Sequence, residues 1–213
     1  MLTLHDYLPS QNAWKVRQLL HHLQRPYRSV PVRIFEGEGR TADYLRISPT
    51  GTVPAIVLDD GRALSESNPI LCFLAEGTPY LPDDAYARAK VLQWLSFEQE
   101  RIESQIGALR HWRLTGKVAG RPQAMVDAKR SAGENALRIL DRELGGRPFL
   151  AGEAYTVADI AAFAYASRAD EAGFALDAHP HLCAWIERVR AQPRFLAQMH
   201  PYSIDPHSRR ELP

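Results

Sequence analysis

The segment Gly77-Thr78-Pro79-Tyr80-Leu81-Pro82-Asp83-Asp84 divides the chain into two parts with different hydrophobic periods. Two prolines, a glycine and two aspartates in eight residues suit neither a helix nor a central strand, so the segment reads as a linker between domains. Upstream of it, strand-like and helix-like pieces alternate. Leu2-Thr3-Leu4-His5 has the period of a strand and leads into the loop Tyr7-Leu8-Pro9-Ser10. From Asn12, apolar residues recur at Val16, Leu19, Leu20 and Leu23, the spacing of an amphipathic helix. Residues 27–34 alternate through Val30 and Val32 as a second strand, and residues 41–47 predict a short helix stopped by Ser48-Pro49-Thr50-Gly51. Ala55-Ile56-Val57-Leu58 is a compact apolar strand. Asp59-Asp60-Gly61 turns it back into Arg62-Ala63-Leu64. Ser67-Asn68-Pro69 opens a helix that runs to about Glu76.

Downstream the strand pattern vanishes. Leu92, Leu95, Ile102, Ile106 and Leu109 keep a helical stripe, which predicts one long helix over 85–115. A second helix fits 122–144, before Gly145-Gly146. Thr156-Val157-Ala158-Asp159 has the shape of a capping box ahead of an alanine-rich apolar run. Residues 179–190 form another amphipathic helix, Pro193 opens a short one, and the polar last thirteen residues read as a draped or frayed tail. The expected architecture is a mixed domain of order β-α-β-α-β-β-α over 1–78, a linker over 79–84, and an all-helical domain over 85–213.

Composition excludes several classes of partner. With 213 residues, 45% of them hydrophobic, the chain can bury a core. Its 26 basic and 25 acidic residues give a formal +1, so no excess charge points to nucleic acid or an anionic membrane. No apolar run approaches the length of a membrane span, and Met1-Leu2-Thr3-Leu4-His5-Asp6 has no targeting character, so the expected location is cytoplasmic. Cys72 and Cys183 lack C-x-x-C spacing and read as reduced, buried thiols. His21 and His22 diverge by about a hundred degrees on a helix, and His179 and His181 have no further ligands nearby, so no metal is expected.

Three short segments of the first domain carry chemistry. Ser10-Gln11-Asn12 sits just before a helix, where Ser10 is either an N-cap or a hydroxyl placed beside a positive helix end that favours a thiolate. Gly51-Thr52-Val53-Pro54-Ala55 enters a strand through an X-Pro bond. Either Pro54 is an ordinary edge proline, or the bond is cis and Val53 turns its backbone outward to pair with a peptide ligand. Ser65-Glu66-Ser67-Asn68-Pro69 starts a helix. Beyond capping, Ser67 with the helix end would hold a carboxylate and Glu66 an ammonium, which together suit the zwitterionic end of an amino acid.

In this order the three segments resemble the cytosolic glutathione transferase superfamily. The likeness extends through Arg40-Thr41-Ala42-Asp43-Tyr44-Leu45 and to Thr156-Val157-Ala158-Asp159-Ile160, which is similar to the family's helix-capping motif. The serine, one residue, then asparagine resembles bacterial forms related to the Nu class. The resemblance implies a thioredoxin-like first domain and an all-helical second one, with glutathione as co-substrate and a homodimer. It implies Ser10 at the glutathione sulfur with Asn12 nearby, and Val53 pairing with the cysteinyl backbone after a cis Pro54. Glu66 and Ser67 would hold the γ-glutamyl end and Arg40 the glycyl carboxylate. Tyr7 is the rival to Ser10, better suited to the wall of the second-substrate pocket. The small electrophile or disulfide would lie between the domains, beside Gln105 and Trp112 of the long helix, although Phe97, Leu109 and Trp112 read equally as core. The cysteine nucleophile of the Beta and Omega classes is absent from the loop, so any disulfide chemistry must use the glutathione sulfur itself.

The energetics require little. A thiol of pKa about 8.5 is roughly 3% ionised at pH 7, and a fall of about two units costs about 2.7 kcal/mol. One hydrogen bond to the charged sulfur contributes about 1.5–3 kcal/mol and a helix end about 0.3–1 kcal/mol. Three activities follow: a transferase attacking small electrophiles, a glutathione-dependent disulfide reductase or peroxidase, and a non-catalytic binding module.

Overall fold

The computed structural model describes residues 1–213. A four-stranded sheet runs in the order β2-β1-β3-β4. β1 (Leu2–Asp6) lies parallel to β2 (Tyr27–Pro31), because the intervening α1 (Gln11–His22) carries the chain back to the same end. After α2 (Ala42–Leu45), β3 (Ala55–Val57) runs antiparallel to both β1 and β4 (Ala63–Ser65), with Ile56 opposite Leu4 on one side and Leu64 on the other. Gly61 adopts φ +85° to close the turn that the aspartates open. Leu4 and Ile56 are fully buried, as are Trp14, Val16 and Leu19 of α1 and Ile70 and Leu71 of α3 (Ser67–Ala75). This is the expected thioredoxin-like β-α-β-α-β-β-α order.

Two expectations fail, each for a visible reason. The second strand ends at Pro31 rather than running to 34: the Val32 N–H turns back to the Asp6 carbonyl at 2.7 Å, and the chain winds into a single 3-10 turn over Ile34–Glu36. No helix opens at Pro193. Arg194 has φ +59°, and polar side chains of α1 take the backbone that a helix would need. His22 Nδ1 meets the Pro193 carbonyl at 2.9 Å and His21 Nδ1 the Arg194 carbonyl at 2.8 Å. Trp14 Nε1 donates to the Leu196 carbonyl at 3.2 Å, and the Leu196 N–H donates to Gln18 Oε1 at 2.7 Å.

These bonds also move a boundary. The chain divides into one compact unit of Met1–Glu76 with Pro193–Pro213 and a second of Gly77–Gln192. The tail that the sequence assigns to the helical domain therefore packs with the sheet, draped rather than frayed.

In the second unit, α4 (Ala85–Phe97) and α5 (Ala108–Leu114) are the two ends of the single long helix expected. They are joined by a π-helical stretch, Glu98–Gly107, where Ile102 and Ile106 are fully buried. α6 (Gln123–Leu144), α7 (Val157–Ala166) and α8 (Pro180–Arg190) complete an all-helical body. At the start of α7 the capping box closes in both directions between Thr156 and Asp159. Asp159 is fully buried, and its carboxylate also accepts from the Leu150 N–H at 2.9 Å and Trp185 Nε1 at 2.9 Å. No helix is long and apolar enough to cross a membrane.

Two stability predictions follow from these contacts. Asp159→Ala strands several buried donors at once and is expected to cost about 2–4 kcal/mol, read as a Tm lower by roughly 5–15 °C; an unchanged melt would remove Asp159 from its structural role. His22 is buried, and that burial pushes its imidazole down to about 4, against the opposing pull of the Pro193 carbonyl. An unfolded histidine titrates near 6.5, so between about 6.5 and 4 the unfolded chain binds a proton that the native state refuses. The contribution of neutral His22 is thus present above 6.5 and lost as pH falls through 4, on the order of 3 kcal/mol. Denaturant unfolding across that range should show wild type losing more stability than His22→Gln; equal losses would contradict the assignment.

Candidate functional site

The loop between β1 and α1 is fixed by a buried guanidinium. Arg17 bonds the Asp6 carboxylate at 2.5 Å and donates to the Leu8 carbonyl at 2.9 Å, and both side chains are almost wholly buried. The loop then closes through the Ser10 N–H to the Tyr7 carbonyl at 2.8 Å. Ser10 caps α1, its Oγ accepting the Ala13 N–H at 3.2 Å. Capping uses a lone pair and leaves the hydroxyl hydrogen to be donated, so the two readings of Ser10 are compatible. Ser10 and Asn12 are both half-buried at this end of the helix.

Tyr7 is buried in a cluster with Val32, Phe35, Tyr44 and Val53. Its ring meets Phe35 edge-on at 5.8 Å and lies 6.4 Å from Tyr202. Its hydroxyl donates to Asp205 Oδ2 at 2.9 Å. Burial, then the Asp205 carboxylate, push the phenol well above its ordinary range. Tyr7 is therefore a neutral phenol whose single proton is already directed at the tail.

Carbonyls of the loop before β3 are held by side chains. The Thr52 carbonyl accepts from Tyr44 Oη at 2.8 Å and Ser48 Oγ at 3.0 Å, while Arg40 donates to the Thr50 carbonyl at 2.9 Å. Gly39 and Gly51 meet backbone to backbone, and a Cβ on Gly39 would overlap the Gly51 carbonyl oxygen. The Val53-Pro54 bond is cis, and β3 begins only at Ala55. The Val53 side chain is buried while its N–H and C=O have no partner in the protein.

Glu66 precedes α3 with φ +73°, a conformation costing a non-glycine residue about 1–3 kcal/mol. Its side chain does not cap the helix; it accepts from Thr50 Oγ1 at 3.1 Å. The first N–H groups of α3 consequently have no side-chain cap. Ser67 is buried beside them, and the fully buried Lys15 ammonium donates to its Oγ at 3.5 Å.

A continuous set of contacts thus joins Tyr7, Ser10, Arg40, Val53, Pro54, Glu66 and Ser67. Arg40 is exposed, and its Nε already donates to the Pro213 carbonyl at 3.0 Å. Gln105 and Trp112 belong to the second unit. Gln105 donates to the Glu100 carbonyl at 3.3 Å, and the Trp112 ring meets the Arg121 guanidinium at 5.1 Å and the Lys129 ammonium at 5.8 Å. Cys72 and Cys183 are free thiols, half-buried rather than buried, on α3 and α8. Sequence reasoning missed Thr50, Lys15, Tyr202 and Asp205. The burial of α1 on nearly every side could have flagged Lys15; nothing local to Tyr7 points to a partner 198 residues away.

Comparison with known proteins agrees with this geometry. Residues 9–76 match the glutathione S-transferase N-terminal domain and residues 86–193 the C-terminal domain. The disulfide-bond oxidoreductase YfcG of Escherichia coli is 29% identical over 197 residues, covering 88% of this chain and 89% of its own. A crystal structure of a glutathione S-transferase from Pseudomonas fluorescens is 37% identical with a TM-score of 0.89, covering 92% of this chain and 97% of that one. A second family member from that organism, with two glutathione bound, is 28% identical with a TM-score of 0.79, covering 91% and 89%. With both domain models matched in order along the chain and a sheet, linker and helical body to correspond, the protein belongs to the glutathione S-transferase family.

Proposed function

We propose that the protein is a glutathione transferase that binds glutathione on its first unit and activates the thiol through Ser10. The observation that carries this reading is the unpaired backbone of Val53 beside cis Pro54, in one connected site with a serine whose proton is available at a helix N-terminus. The cysteinyl backbone of glutathione pairs with Val53 as an added strand edge. Its γ-glutamyl carboxylate takes the N-terminal end of α3 with Ser67, and its ammonium takes Glu66. Arg40 reaches the glycyl carboxylate on exchanging a backbone carbonyl for it. Asn12 adds an amide near the sulfur. Tyr7 forms a wall, since its proton is engaged with Asp205.

Chemistry then needs one charge-assisted hydrogen bond. Ser10 donates to the thiolate, the thiol proton leaves to solvent, and the sulfur forms a bond to an electrophilic carbon as the leaving group departs with its electron pair. A second reading is disulfide reduction, favoured by the name of the Escherichia coli relative and by the two glutathiones of the Pseudomonas structure. There the glutathione thiolate attacks a disulfide sulfur and expels the other as a thiolate, and a second glutathione resolves the mixed disulfide. The protein works as a cytoplasmic homodimer in either reading.

Calorimetric titration with glutathione, with thiolate absorbance followed against pH, tests the assignment. Wild type should bind saturably, and Ser10→Ala should still bind while its bound thiol pKa rises by about 1–2 units and kcat/KM falls roughly 10–100-fold. No binding by wild type defeats both enzymatic readings. Relative rates of chloronitrobenzene conjugation and model-disulfide reduction then separate them.

A further inference from the structure

We propose that Asp205, on the tail, is a positioning residue of the thiol site: by holding the Tyr7 hydroxyl it leaves Ser10 as the one hydroxyl of the loop that can donate to glutathione sulfur. The inference rests on the glutathione reading above and concerns how that site selects its donor.

The geometry places Asp205 for this task. Its two carboxylate oxygens are fixed separately, Oδ2 by the Tyr7 hydroxyl at 2.9 Å and Oδ1 by the His207 N–H at 2.8 Å. The segment bearing it is anchored on either side. Upstream, the Tyr202 ring packs against the Tyr7 cluster. Downstream, His207 Nε2 stands 3.8 Å from Glu36, and the Pro213 carbonyl accepts from Arg40. Tyr202, His207 and Glu36 are the other titratable groups around this contact. Tyr7 shares its apolar cluster with Val53, whose backbone is the proposed glutathione edge, so its ring stands beside the ligand while its proton points at the tail. A phenol has one O–H to donate. Given to a carboxylate fixed at two points, it is withheld from a thiol a few ångströms away. The same loop therefore carries two potential donors, and a residue far away in sequence decides between them.

The test transfers activation from one hydroxyl to the other. Bound-glutathione thiolate absorbance is followed against pH in Ser10→Ala, in Ser10→Ala with Asp205→Ala, and in that pair with Tyr7→Phe added. Freed from Asp205, Tyr7 should donate to the sulfur, so the double variant is expected to recover roughly tenfold of the thiolate lost in Ser10→Ala at neutral pH. Adding Tyr7→Phe should remove that recovery. Replacing Asp205→Ala by Asp205→Asn keeps an acceptor oxygen and should give none. A merely structural role for the tail would lower stability in every one of these variants without restoring thiolate. The proposal is overturned if the double variant stays at the level of Ser10→Ala, or if Ser10→Ala itself keeps the full thiolate. Failure of wild type to bind glutathione at all would instead overturn the parent reading, which the calorimetry reports separately.

Discussion

The site depends on one carbonyl being held in place. Tyr44 and Ser48 both donate to the Thr52 oxygen, and that clamp decides which way the next residue faces. With Thr52 tied to the short α2 and the turn after it, the chain enters β3 only at Ala55, and Val53 is left with its side chain in the core and its peptide groups outside the ladder. An unpaired strand edge is ordinarily a hazard, because it recruits any extended chain. Here the open edge is one residue long, bounded by a proline that has no N–H and by a loop whose glycines interlock, so it cannot extend into a longer strand pairing. Burial pushes the Tyr44 phenol up, keeping it a donor over the whole working range of pH. The clamp does not titrate away.

A second constraint fixes the opposite side of the site. Asp6 and Arg17 form a buried ion pair that ties the end of β1 to the middle of α1 and, through the Leu8 carbonyl, the loop between them. Such pairs add little net stability, yet loss of one member costs about 3–5 kcal/mol because it leaves the other charge buried alone. One Asp6 oxygen has no partner, so the pair is not even optimally satisfied. Its effect is on geometry: the chain from Tyr7 to Ser10 cannot slide along the helix axis without breaking it. This keeps the Ser10 hydroxyl at the positive end of the helix.

How much of this was legible in the sequence follows from range of interaction. Elements set by local periodicity or capping were readable: the order of the sheet domain, the long helix, the Thr156–Asp159 box, and the glycine turn at Gly61. The Ser10 cap and the helix start at Ser67 were readable because loop chemistry before a helix has few alternatives, and the cis Val53-Pro54 bond was one of two open readings. Contacts between distant segments were not. The helix expected at Pro193 is sound by local rules, but His21, His22 and Gln18 lie on α1 facing it and offer its carbonyls and amides better-placed partners. Arg40 was expected to hold a ligand carboxylate, and nothing near it in sequence signalled the two carbonyl bonds with which it braces the loop before β3.

In the proposed mechanism, the same long-range docking lets a thioredoxin-like unit use a hydroxyl rather than a thiol at its first helix. A catalytic cysteine would carry the negative charge itself and need no selection among donors. A hydroxyl must be the right one, because a neighbouring phenol offers a competing proton on a bulkier ring. Here Tyr7 supplies a wall for apolar contact while its proton is directed elsewhere, which separates shape from activation within four residues of chain. Ser10 in turn accepts the Ala13 N–H, which leaves its own hydrogen available for donation. Selection of the donor, as proposed, is thus a property of the packed tail and the helix cap together, and neither the loop alone nor its composition contains it.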